Sequence, residues 1–518
     1  MSFMRTAADI IGKMPKLTQQ NEELIKQAYA FAATKHASQT RYSGEPYMMH
    51  LAEVAYKIAD MGLGPRTVAA ALLHDTIEDT DATAEEIKET FGEEVLYLVE
   101  GVTKLSSVRY YGKDRHNESL RKLFVATSQD IRVLIIKLND RLHNMETLNH
   151  VPAEKQLRIA RETLEIYVPV AHRLGMGKLR KELEDIAFFY VYPEEHKRVK
   201  HLLEQRAGKS SEVLERERKS IQKRLAEAKL LDFHTSYRVK GLYSLYHKLI
   251  RKDWDINAVY DLMAMRIVVP TVEDCYRTLG IIHDLWRPLP GRMKDYIAFP
   301  KPNGYQSIHT TVTSNHGTIM EIQIRTHQMH QEAEFGIASH LLYKEQALPQ
   351  NNNTTTSGRF SNLIPSLFRP FSKRAMPEEV VDAKIPDHKQ KIPQWISQIG
   401  DMYTKDEMSS QFMADMRQDF FMNRIFVFTP NGDVVDLPLG ATPIDFAYAI
   451  HSEIGNHISG ARVNRKFVQL ETELKNGDIV EIETKESAKP SKKWLDIAKT
   501  SIARRHIRSE LGLPAIGK

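Results

Sequence analysis

Cysteine is almost absent from this chain of 518 residues, since Cys275 is the only one. A single cysteine excludes a disulfide framework and any zinc site built from several thiolates. Long apolar runs are also lacking: the longest resemble VLIIKL at 133–138, far short of a membrane-spanning helix. The amino-terminal stretch has no apolar segment of the kind found in secretory signal peptides. These absences predict a cytoplasmic protein that makes no membrane contact.

The chain also lacks a strong excess of charge of either sign. Lysine and arginine number 72 against 67 aspartates and glutamates, a formal net charge of +5. This surplus is too small to indicate a nucleic-acid-binding protein, although it is compatible with a local basic pocket. The hydrophobic fraction of 42% is typical of a folded chain. The length exceeds one ordinary hydrophobic core, so about two to four domains are expected.

Hydrophobic periodicity divides the chain into segments of different structural class. Apolar residues recur every three or four positions in the first part, whereas MAMRIVVP, SIHTTVTS and TIMEIQIRT are typical of strands. An all-α domain is predicted at 1–195, followed by an α/β domain at 196–345. The α/β domain begins with a charged connecting helix at 196–230, which is interpreted as solvated. The remaining predicted segments are a linker or insertion at 346–385, a helical connector at 386–423, a small β-rich domain at 424–485 with a turn at 430–433, and the start of a helical domain at 486–518.

Four acidic or imidazole side chains crowd into ALLHDTIEDT, residues 71–80, directly after an apolar run. If the helix continues through this stretch, His74 and Glu78 lie four residues apart, as do Asp75 and Asp79. The four side chains would then form two neighbouring columns on one side of the helix. Imidazole and carboxylate groups together suit Mn, Fe, Zn or Mg better than a metal that prefers thiolates. At the end of an apolar segment, such groups need a compensating cation.

Two further segments carry matching ligands. PYMMHLAEV places His50 on a separate apolar helix. The segment IRVLIIKLNDRLHNMETL carries four polar residues on one helix face: Asp140, His143, Asn144 and Thr147. Each segment alone has a structural explanation, because a lone histidine is usually a satisfied structural residue and an acidic cluster is usually a helix end or cap. The conjunction of all three segments predicts a metal site.

A second candidate site lies in the predicted α/β domain. In TIMEIQIRT, strand alternation directs Glu321, Gln323 and Arg325 to one face and the intervening isoleucines to the other. A strand with one charged face can simply lie at a surface, which is the commoner case. Asp261, however, precedes the strand MAMRIVVP and could meet Glu321 across the sheet, so that the two carboxylates bind Mg²⁺ together with substrate phosphates. Lysines and arginines, Arg266 among them, alternate with tyrosines around this pair, a composition that suits phosphate neutralisation and base stacking.

The first group of motifs resembles the HD phosphohydrolase superfamily, whose H…HD…D pattern is matched by His50, His74, Asp75 and Asp140. The strings HDTIEDT, VTKL and KLNDRLHNM more specifically resemble the hydrolase domain of the RelA/SpoT (Rel) family, the bifunctional synthetases and hydrolases of the alarmone (p)ppGpp. The resemblance implies that these four residues hold Mn²⁺ and that the 3′-pyrophosphate is removed to give GDP or GTP. It implies that Glu78 and Asp79 activate the attacking water. The implied nucleotide-binding residues are Arg41, Ser43, Asn144 and Thr147.

The second group resembles the synthetase domain of the same family, most specifically in GRMKDYIA, PNGYQSIHTTV and HQEAEFGIASH. The resemblance implies transfer of the β,γ-pyrophosphate of ATP to the 3′-hydroxyl of GDP or GTP, mostly by positioning and charge neutralisation. It implies that Asp261 binds Mg²⁺, that Glu321 binds the metal or acts as a base, and that Tyr305 stacks on the acceptor guanine. The implied ATP-binding residues are Arg238, Lys240, Ser244, Lys248 and Arg266. The implied GDP/GTP-binding residues are Lys294, Lys301, Asn303, Tyr305, His309 and Gln323.

Residues 424–485 resemble a TGS domain, a small β-grasp module, in VFTPNGDVVDLPLGATPIDFAYAIHSEIG and KNGDIVEI. In ribosome-bound relatives this module contacts the acceptor end of an uncharged tRNA, and His451 matches a position linked to that contact. A capping or surface histidine explains the same residue equally well. KKWLDIAKTSIARRHIRSEL resembles the start of the helical domain that follows. No zinc-finger-like or ACT-like unit comes after it in these 518 residues, so the expected ribosome contact is weakened.

Three interpretations of function follow. The resemblance favours a bifunctional enzyme of the stringent response, because no synthetase signature is visibly broken. One alternative is a hydrolase-dominant enzyme whose synthetase domain is weak or regulatory. Another is a tRNA- or ribosome-binding regulator without turnover, which the intact metal constellation argues against. A CCA-adding nucleotidyltransferase would need Gly-Ser followed by an Asp-x-Asp pair, and the sequence has none.

Overall fold

The computed structural model describes residues 4–14, 17–106, 130–259, 262–301, 303–315, 317–339, 424–430, 434–475 and 477–513. They belong to two compact units: the described residues up to 339 lie in the first and those from 424 onward lie in the second. The predicted linker, the helical connector at 386–423 and Asp261 lie outside the described residues. None of the described helices combines the length and the apolar composition that crossing a membrane requires.

The amino-terminal part of the first unit is helical throughout its described residues, as predicted. Its helices are α1 Ala7–Ile11, α2 Gln19–Lys35, α3 Tyr47–Asp60, α4 Pro65–Leu73, α5 Thr76–Asp79, α6 Ala84–Phe91, α7 Glu93–Ser106, α8 Ile131–Glu146, α9 Ala153–Glu162, α10 Val168–Arg173 and α11 Gly177–Val191. The apolar faces of α2, α3, α4, α7 and α8 pack together. Small side chains at Ala52, Ala55, Ala69 and Ala70 let the helix backbones approach closely.

The stretch 71–80 is not one continuous helix, so the prediction of two side-chain columns is wrong. Helix α4 ends at Leu73, His74 and Asp75 form a turn, and the short helix α5 begins at Thr76. Asp75 has φ −101° and ψ −1°, outside ideal helical geometry. The break directs the imidazole and the first carboxylate inward, whereas Glu78 and Asp79 remain exposed.

The charged connecting helix is α12, Pro193–Glu227. Its interpretation as a solvated connector is wrong, because it buries apolar residues along its length. Val199 is fully buried in a cluster with Phe188 and Leu245, and Ile221 and Leu225 are buried in the core of the α/β domain. Its charged residues lie mostly outside these contacts, which explains why composition alone suggested a solvated helix.

A mixed six-stranded sheet forms the α/β domain, and the three strands predicted from alternation are confirmed. The elements are β1 His234–Val239, α13 Leu242–Ile250, β2 Met263–Val269, α14 Val272–Leu285, β3 Arg287–Pro288, β4 Lys294–Asp295, β5 Ile308–Thr313, β6 Ile319–Thr326 and α15 His327–Phe335. The strand order is β1-β2-β6-β5-β3, with β4 beside β5; β2 and β6 are parallel and the other pairs are antiparallel. Ile322 and Ile324 face a core shared with Cys275 and Ile282 of α14.

Two glycines allow the helical part and the α/β domain to meet backbone to backbone. Gly336 follows α15 with φ 57° and ψ −131°, a conformation that only glycine adopts readily. A Cβ at Gly336 would lie 2.1 Å from the carbonyl oxygen of Leu174, and one at Gly175 would lie 2.9 Å from the carbonyl oxygen of Asn303. Ile337 also donates a backbone hydrogen bond to Leu174. The contact therefore tolerates no side chain at Gly336.

Gly336→Ala is expected to lower the free energy of unfolding by about 3 kcal/mol or more, because the new methyl group overlaps backbone that cannot move aside cheaply. Gly317→Ala is the matched control: Gly317 has φ 74°, but nothing lies within 4 Å of its added Cβ. The control should lose only about 1–2 kcal/mol from the left-handed backbone. Thermal unfolding of both variants measures the difference, and equal losses would refute the contact.

The second unit contains the predicted β-rich domain. The hairpin β7 Arg424–Phe428 and β8 Val434–Pro438 confirms the two strands predicted around residues 430–433. Strand β9 lies between β10 and β11 in an antiparallel sheet, and Phe446 of α16 packs on Val427 and Val480. Buried Asp445 accepts hydrogen bonds from Thr442 and Thr500, joining this domain to the carboxyl-terminal helices. The remaining elements are α16 Pro443–Ile450, α17 Ser452–Asn456, β9 Ile458–Val463, β10 Lys466–Val468, β11 Val480–Thr484, α18 Trp494–Ile497 and α19 Ser501–Glu510.

Candidate active sites

The amino-terminal cluster (His50, His74, Asp75 and Asp140) brings together residues from three separate parts of the helical fold. His50 lies in α3, Asp140 lies in α8, and His74 and Asp75 form the turn after α4. One donor atom from each of His50, His74 and Asp140 lies within 4.8 Å of the others. Nε2 of His50 is 3.3 Å from Oδ1 of Asp140, and Nε2 of His74 is 3.2 Å from Oδ2 of Asp75. The four predicted ligands are therefore neighbours.

His74 presents a nitrogen that lacks a hydrogen bond. Its Nδ1 donates to the carbonyl oxygen of Ala71 at 2.8 Å, so Nε2 faces the cluster. This Nε2 is buried and makes no well-aligned hydrogen bond among the described residues, although Oδ2 of Asp75 lies 3.2 Å away. A buried polar atom without a hydrogen bond costs free energy, and a metal ion bound to Nε2 would remove that cost. The hydrogen bond from Nδ1 fixes the orientation of the ring. The donor set and this orphaned atom fit a divalent cation.

Buried carboxylates make the cluster attract positive charge. Burial acts to raise the pKa of Asp140, but Lys137, whose Nζ lies 2.7 Å from Oδ2, and His50 together hold that pKa well below its usual range. Burial opposes protonation of His74, yet Asp75 and Asp140 raise its pKa to about 9. The same carboxylates would stabilise a divalent cation.

Predicted nucleotide-binding residues adjoin the cluster. Arg41, in the loop before α3, donates to Oδ1 of Asn144 and, at 3.3 Å, to Oγ1 of Thr147. Ser43 lies in the same loop, where its hydroxyl donates to Glu45 at 3.2 Å. The structure thus gathers Arg41, Asn144 and Thr147 at one side of the cluster and leaves Ser43 at the tip of the loop.

Two neighbours of the cluster received no predicted role. Nδ1 of His143 lies 2.8 Å from Nδ1 of His50 and 3.0 Å from the guanidinium of Arg41. Lys137 neutralises Asp140 from one turn earlier in α8. Both lie three residues from Asp140; His143 was predicted to share a helix face with Asp140, whereas for Lys137 that spacing was the only signal in the sequence. Burial lowers the pKa of His143 to about 2, with His50 and Arg41 adding to the effect.

Tyr47 links the cluster to the exposed carboxylates. Its hydroxyl lies 2.8 Å from Oδ2 of Asp75 and 3.0 Å from Oδ2 of Asp79, while its ring stacks on His36 at 4.9 Å. The side chains of Glu78 and Asp79 are exposed. The arrangement leaves these carboxylates accessible to water, and Tyr47 holds Asp79 in relation to the predicted metal ligands.

Tyr47→Phe is expected to lower the hydrolysis that the family resemblance implies about 10- to 100-fold, the range typical of residues that orient metal ligands through hydrogen bonds. Phenylalanine keeps the ring on His36 and removes only the hydroxyl bound to Asp75 and Asp79. Tyr97→Phe is the matched control, because Tyr97 is 45% exposed and lies on α7, which contributes no residue to the cluster. Steady-state hydrolysis rates compare the variants, and turnover equal to that of the control would show that the hydroxyl has no such role.

A second site forms around Glu321 on strand β6. Oε1 of Glu321 accepts hydrogen bonds from Nδ1 of His309 and Nε2 of Gln323, both at 2.9 Å. Gln323 in turn accepts from Arg325 at 3.2 Å. Glu321, Gln323 and Arg325 therefore share one face, as their alternation predicted. Tyr305 lies beyond His309, with its hydroxyl 2.7 Å from Nε2.

A basic cavity of about 270 Å³ opens beside Glu321. Lys248, predicted to bind ATP, and Lys294 and His309, predicted to bind the acceptor, line the same cavity as Glu321. Five basic side chains beside one carboxylate suit a ligand with several phosphates. Two of these five, Lys248 and Lys294, were predicted from the sequence; Arg251 and Lys252 directly follow α13, and Arg292 lies between β3 and β4. The lining residues are Lys248, Arg251, Lys252, Ala258, Val259, Arg292, Lys294, His309, Thr311 and Glu321.

The other residues predicted for ATP lie along β1, α13 and β2. Arg238 and Lys240 are half-buried at the end of β1. Arg266, on β2, forms an ion pair with Glu334 at 3.2 Å, and burial followed by nearby Arg238 lowers its pKa. The hydroxyl of Ser244 donates to Glu184 of α11 at 3.4 Å. Ser244 therefore contacts the helical part of the first unit rather than the cavity.

The residues predicted for the acceptor surround Tyr305. Nζ of Lys301 lies 5.1 Å from the centre of the Tyr305 ring, a cation–π distance. Asn303 accepts a hydrogen bond from the backbone nitrogen of Tyr305 and donates to the carbonyl oxygen of His172, at 3.3 and 3.4 Å. Lys294 pairs with His309 in the register of β4 and β5. The residues between β4 and β5 thus form a polar and aromatic rim beside Glu321.

His451, predicted with low specificity to contact tRNA, lies exposed at the start of α17 in the second unit. Its Nδ1 accepts a hydrogen bond from the backbone nitrogen of Glu453 at 3.2 Å, which is a helix cap. The capping explanation therefore accounts for the conformation of this residue. Contact with tRNA stays a prediction.

Comparison with protein families confirms the predicted order of domains. Residues 28–177 match the HD domain family, residues 237–348 match a region found in RelA/SpoT proteins, and residues 425–484 match the TGS domain. The matches cover the amino-terminal cluster, the Glu321 site and the β-rich domain in turn.

Curated relatives match nearly the whole chain. A guanosine-3′,5′-bis(diphosphate) 3′-pyrophosphohydrolase of Aquifex aeolicus is 44% identical over 95% of this chain and 65% of its own length. A GTP pyrophosphokinase of Streptomyces coelicolor is 43% identical over 96% of this chain and 56% of its own. The bifunctional (p)ppGpp synthase/hydrolase SpoT of Escherichia coli is 41% identical over 94% and 64%. The chain thus spans between 56% and 65% of the length of these relatives.

Proposed function

Since this chain belongs to the RelA/SpoT family, with an HD domain, a RelA/SpoT region and a TGS domain in that order, we propose that it both makes and degrades (p)ppGpp. One reaction is that of a GTP/GDP pyrophosphokinase and the other that of a guanosine-3′,5′-bis(diphosphate) 3′-pyrophosphohydrolase. The observation that supports hydrolysis is the buried cluster of His50, His74 and Asp140 with its orphaned nitrogen. The cavity beside Glu321, with its basic lining, supports synthesis.

In the proposed hydrolysis, His50, His74, Asp75 and Asp140 would hold Mn²⁺, which would supply Lewis acidity toward a phosphoryl oxygen and toward water. Glu78 and Asp79 accept the proton of the attacking water. Water adds to the phosphorus bonded to the ribose 3′-oxygen, that bond breaks, and the 3′-oxygen leaves with the electron pair and takes up a proton from the solvent, giving GDP or GTP and pyrophosphate. Arg41, Asn144 and Thr147 orient the nucleotide.

In the proposed synthesis, Glu321 accepts the proton of the 3′-hydroxyl of GDP or GTP. The oxygen attacks the β-phosphorus of ATP, the bond from that phosphorus to the α,β-bridging oxygen breaks, and AMP leaves with the electron pair. Asp261 would hold Mg²⁺, which would neutralise phosphate charge, and Glu321 would be a second ligand of that ion in the alternative in which it is not the base. Lys248 and Lys294 neutralise further charge and position the two nucleotides.

We propose a cytoplasmic setting and, for the TGS domain, contact with uncharged tRNA on the ribosome. His451 would be part of such a contact. Its helix-capping bond with Glu453 places the imidazole at the domain surface.

Product analysis with ppGpp tests the hydrolytic half of the proposal. The chain with ppGpp and Mn²⁺ should release GDP and intact pyrophosphate, and a chelator should stop the reaction. Release of two equivalents of inorganic phosphate would indicate a phosphatase instead. Turnover that survives complete removal of divalent metal would contradict the assignment of the amino-terminal cluster.

A further inference from the structure

Tyr305 contributes two features to the Glu321 site, a ring and a hydroxyl. Stacking on an acceptor base would use the ring and would leave the hydroxyl without a role. In the structure, the hydroxyl lies 2.7 Å from Nε2 of His309, and Nδ1 of His309 lies 2.9 Å from Oε1 of Glu321. Tyr305, His309 and Glu321 therefore form a continuous hydrogen-bonded chain.

The direction of each hydrogen bond follows from the donors that these groups possess. An ionised carboxylate can only accept, so Nδ1 of His309 carries the proton that binds Glu321. In a neutral imidazole the other nitrogen then accepts, so the hydroxyl of Tyr305 donates to Nε2. The hydroxyl thereby selects the tautomer of His309, and that tautomer supplies the donor that orients Glu321.

A second support reaches the same carboxylate oxygen along strand β6. Gln323 donates to Oε1 of Glu321 at 2.9 Å and accepts from Arg325 at 3.2 Å. Arg325 is fully buried, and its guanidinium carbon lies 5.6 Å from the centre of the Tyr305 ring. The carboxylate is held both from β5, through His309, and from its own strand.

We infer that the hydroxyl of Tyr305, acting through His309, positions the carboxylate of Glu321 for proton acceptance. Tyr305 is then a positioning residue in addition to a stacking surface. The inference rests on the proposed synthetase function, in which Glu321 receives the proton of the 3′-hydroxyl. Its effect falls on turnover more than on acceptor binding, because the ring stays available for stacking when the hydroxyl is removed.

Tyr305→Phe separates the two roles. We expect kcat for synthesis to fall at least about 10-fold while KM for GDP stays unchanged, as for other residues that orient a reacting group. Hydrolysis of ppGpp by the same variant should be unaffected, which reports that the chain is folded. Tyr296→Phe is the matched control: its ring lies 6.1 Å from that of Tyr305, and its hydroxyl has no hydrogen-bond partner among the described residues.

Two substitutions of His309 test the direction of the hydrogen bonds that run from Tyr305 through His309 to Glu321. In His309→Asn an amide nitrogen remains near the position of Nδ1 and can still donate to Glu321. In His309→Gln the longer side chain places its amide near the position of Nε2, toward Tyr305, so the donor to Glu321 is lost. The asparagine variant should therefore retain more kcat than the glutamine variant. Adding Tyr305→Phe to His309→Asn should lower kcat little further, because the hydroxyl acts only through His309.

An unchanged kcat in Tyr305→Phe, or a loss confined to KM for GDP, would overturn the inference. Nitrogen-15 NMR of the His309 ring, assigned by its loss in His309→Asn, gives a readout independent of turnover. The expected state is neutral, with the proton on Nδ1 and an Nε2 signal that moves in Tyr305→Phe. The opposite tautomer would overturn the inference even in a chain that forms no AMP, whereas absence of AMP with the expected tautomer would refute the proposed function alone.

Discussion

Asp75→Ala is expected to abolish metal-dependent hydrolysis of (p)ppGpp, with a loss greater than about 100-fold. Substitutions that only orient a metal ligand already cost about 10- to 100-fold, and Asp75 is placed as a ligand itself. Its Oδ2 lies 3.2 Å from Nε2 of His74 and 3.7 Å from Nε2 of His50. Removing this carboxylate deprives the cluster of a negative charge that a cation needs. Hydrolysis rates measured across a Mn²⁺ titration give the result.

Asp81→Ala is the control for this variant. Asp81 follows the same segment, but its side chain is 86% exposed and its ion pair with Lys35 lies at the surface, where such pairs contribute little. The control should hydrolyse as the wild type does. Synthesis from ATP and GDP should persist in both variants, because Glu321 and its hydrogen-bond partners lie in the α/β domain. Retained hydrolysis in Asp75→Ala would overturn the assignment of the cluster.

Glu321→Gln is expected to produce the opposite pattern, a loss of synthesis of at least about 100-fold with hydrolysis intact. General-base catalysis contributes about 10²- to 10⁴-fold, and an amide cannot accept the proton of the 3′-hydroxyl. The carbonyl oxygen of the glutamine can still accept the hydrogen bonds of His309 and Gln323. The substitution therefore removes charge and basicity with little change in packing. AMP formation from ATP and GDP measures synthesis.

Glu273→Gln serves as the control for this loss, since Glu273 is an exposed carboxylate in the first turn of α14 and lies in the same domain. It should synthesise at the wild-type rate. If Glu321→Gln synthesised as fast as this control, Glu321 would be neither base nor metal ligand. Together with Asp75→Ala, the variant would separate two activities within one chain.

Periodicity predicted much of the fold because each element buries one regular face. The alternation of β6 predicted which of Glu321 and Ile322 faces the core, and the order of the domains followed from their motifs. Burial of α12 escaped prediction because its charged residues outnumber the few apolar ones, such as Ile221 and Leu225, that pack on the α/β domain. Composition alone does not reveal which face meets a neighbour.

The candidate sites were predicted as sets of residues but not as geometries. The break after Leu73 turns His74 inward, and a helical repeat carries no sign of where the backbone departs from it. Contacts that complete the cluster join residues far apart in sequence: His50 and His143 are separated by 93 positions. The hydroxyl of Tyr47 joins Asp75 to Asp79 across two elements. Such contacts depend on tertiary packing, which local patterns do not encode.

Chromatography of the nucleotides formed from ATP, GDP and Mg²⁺, with Mn²⁺ left out, tests most directly whether one chain carries both activities. AMP and ppGpp should appear together, and later addition of Mn²⁺ should convert the ppGpp back to GDP. ATP left intact under these conditions would contradict a competent synthetase site and favour a hydrolase-dominant enzyme.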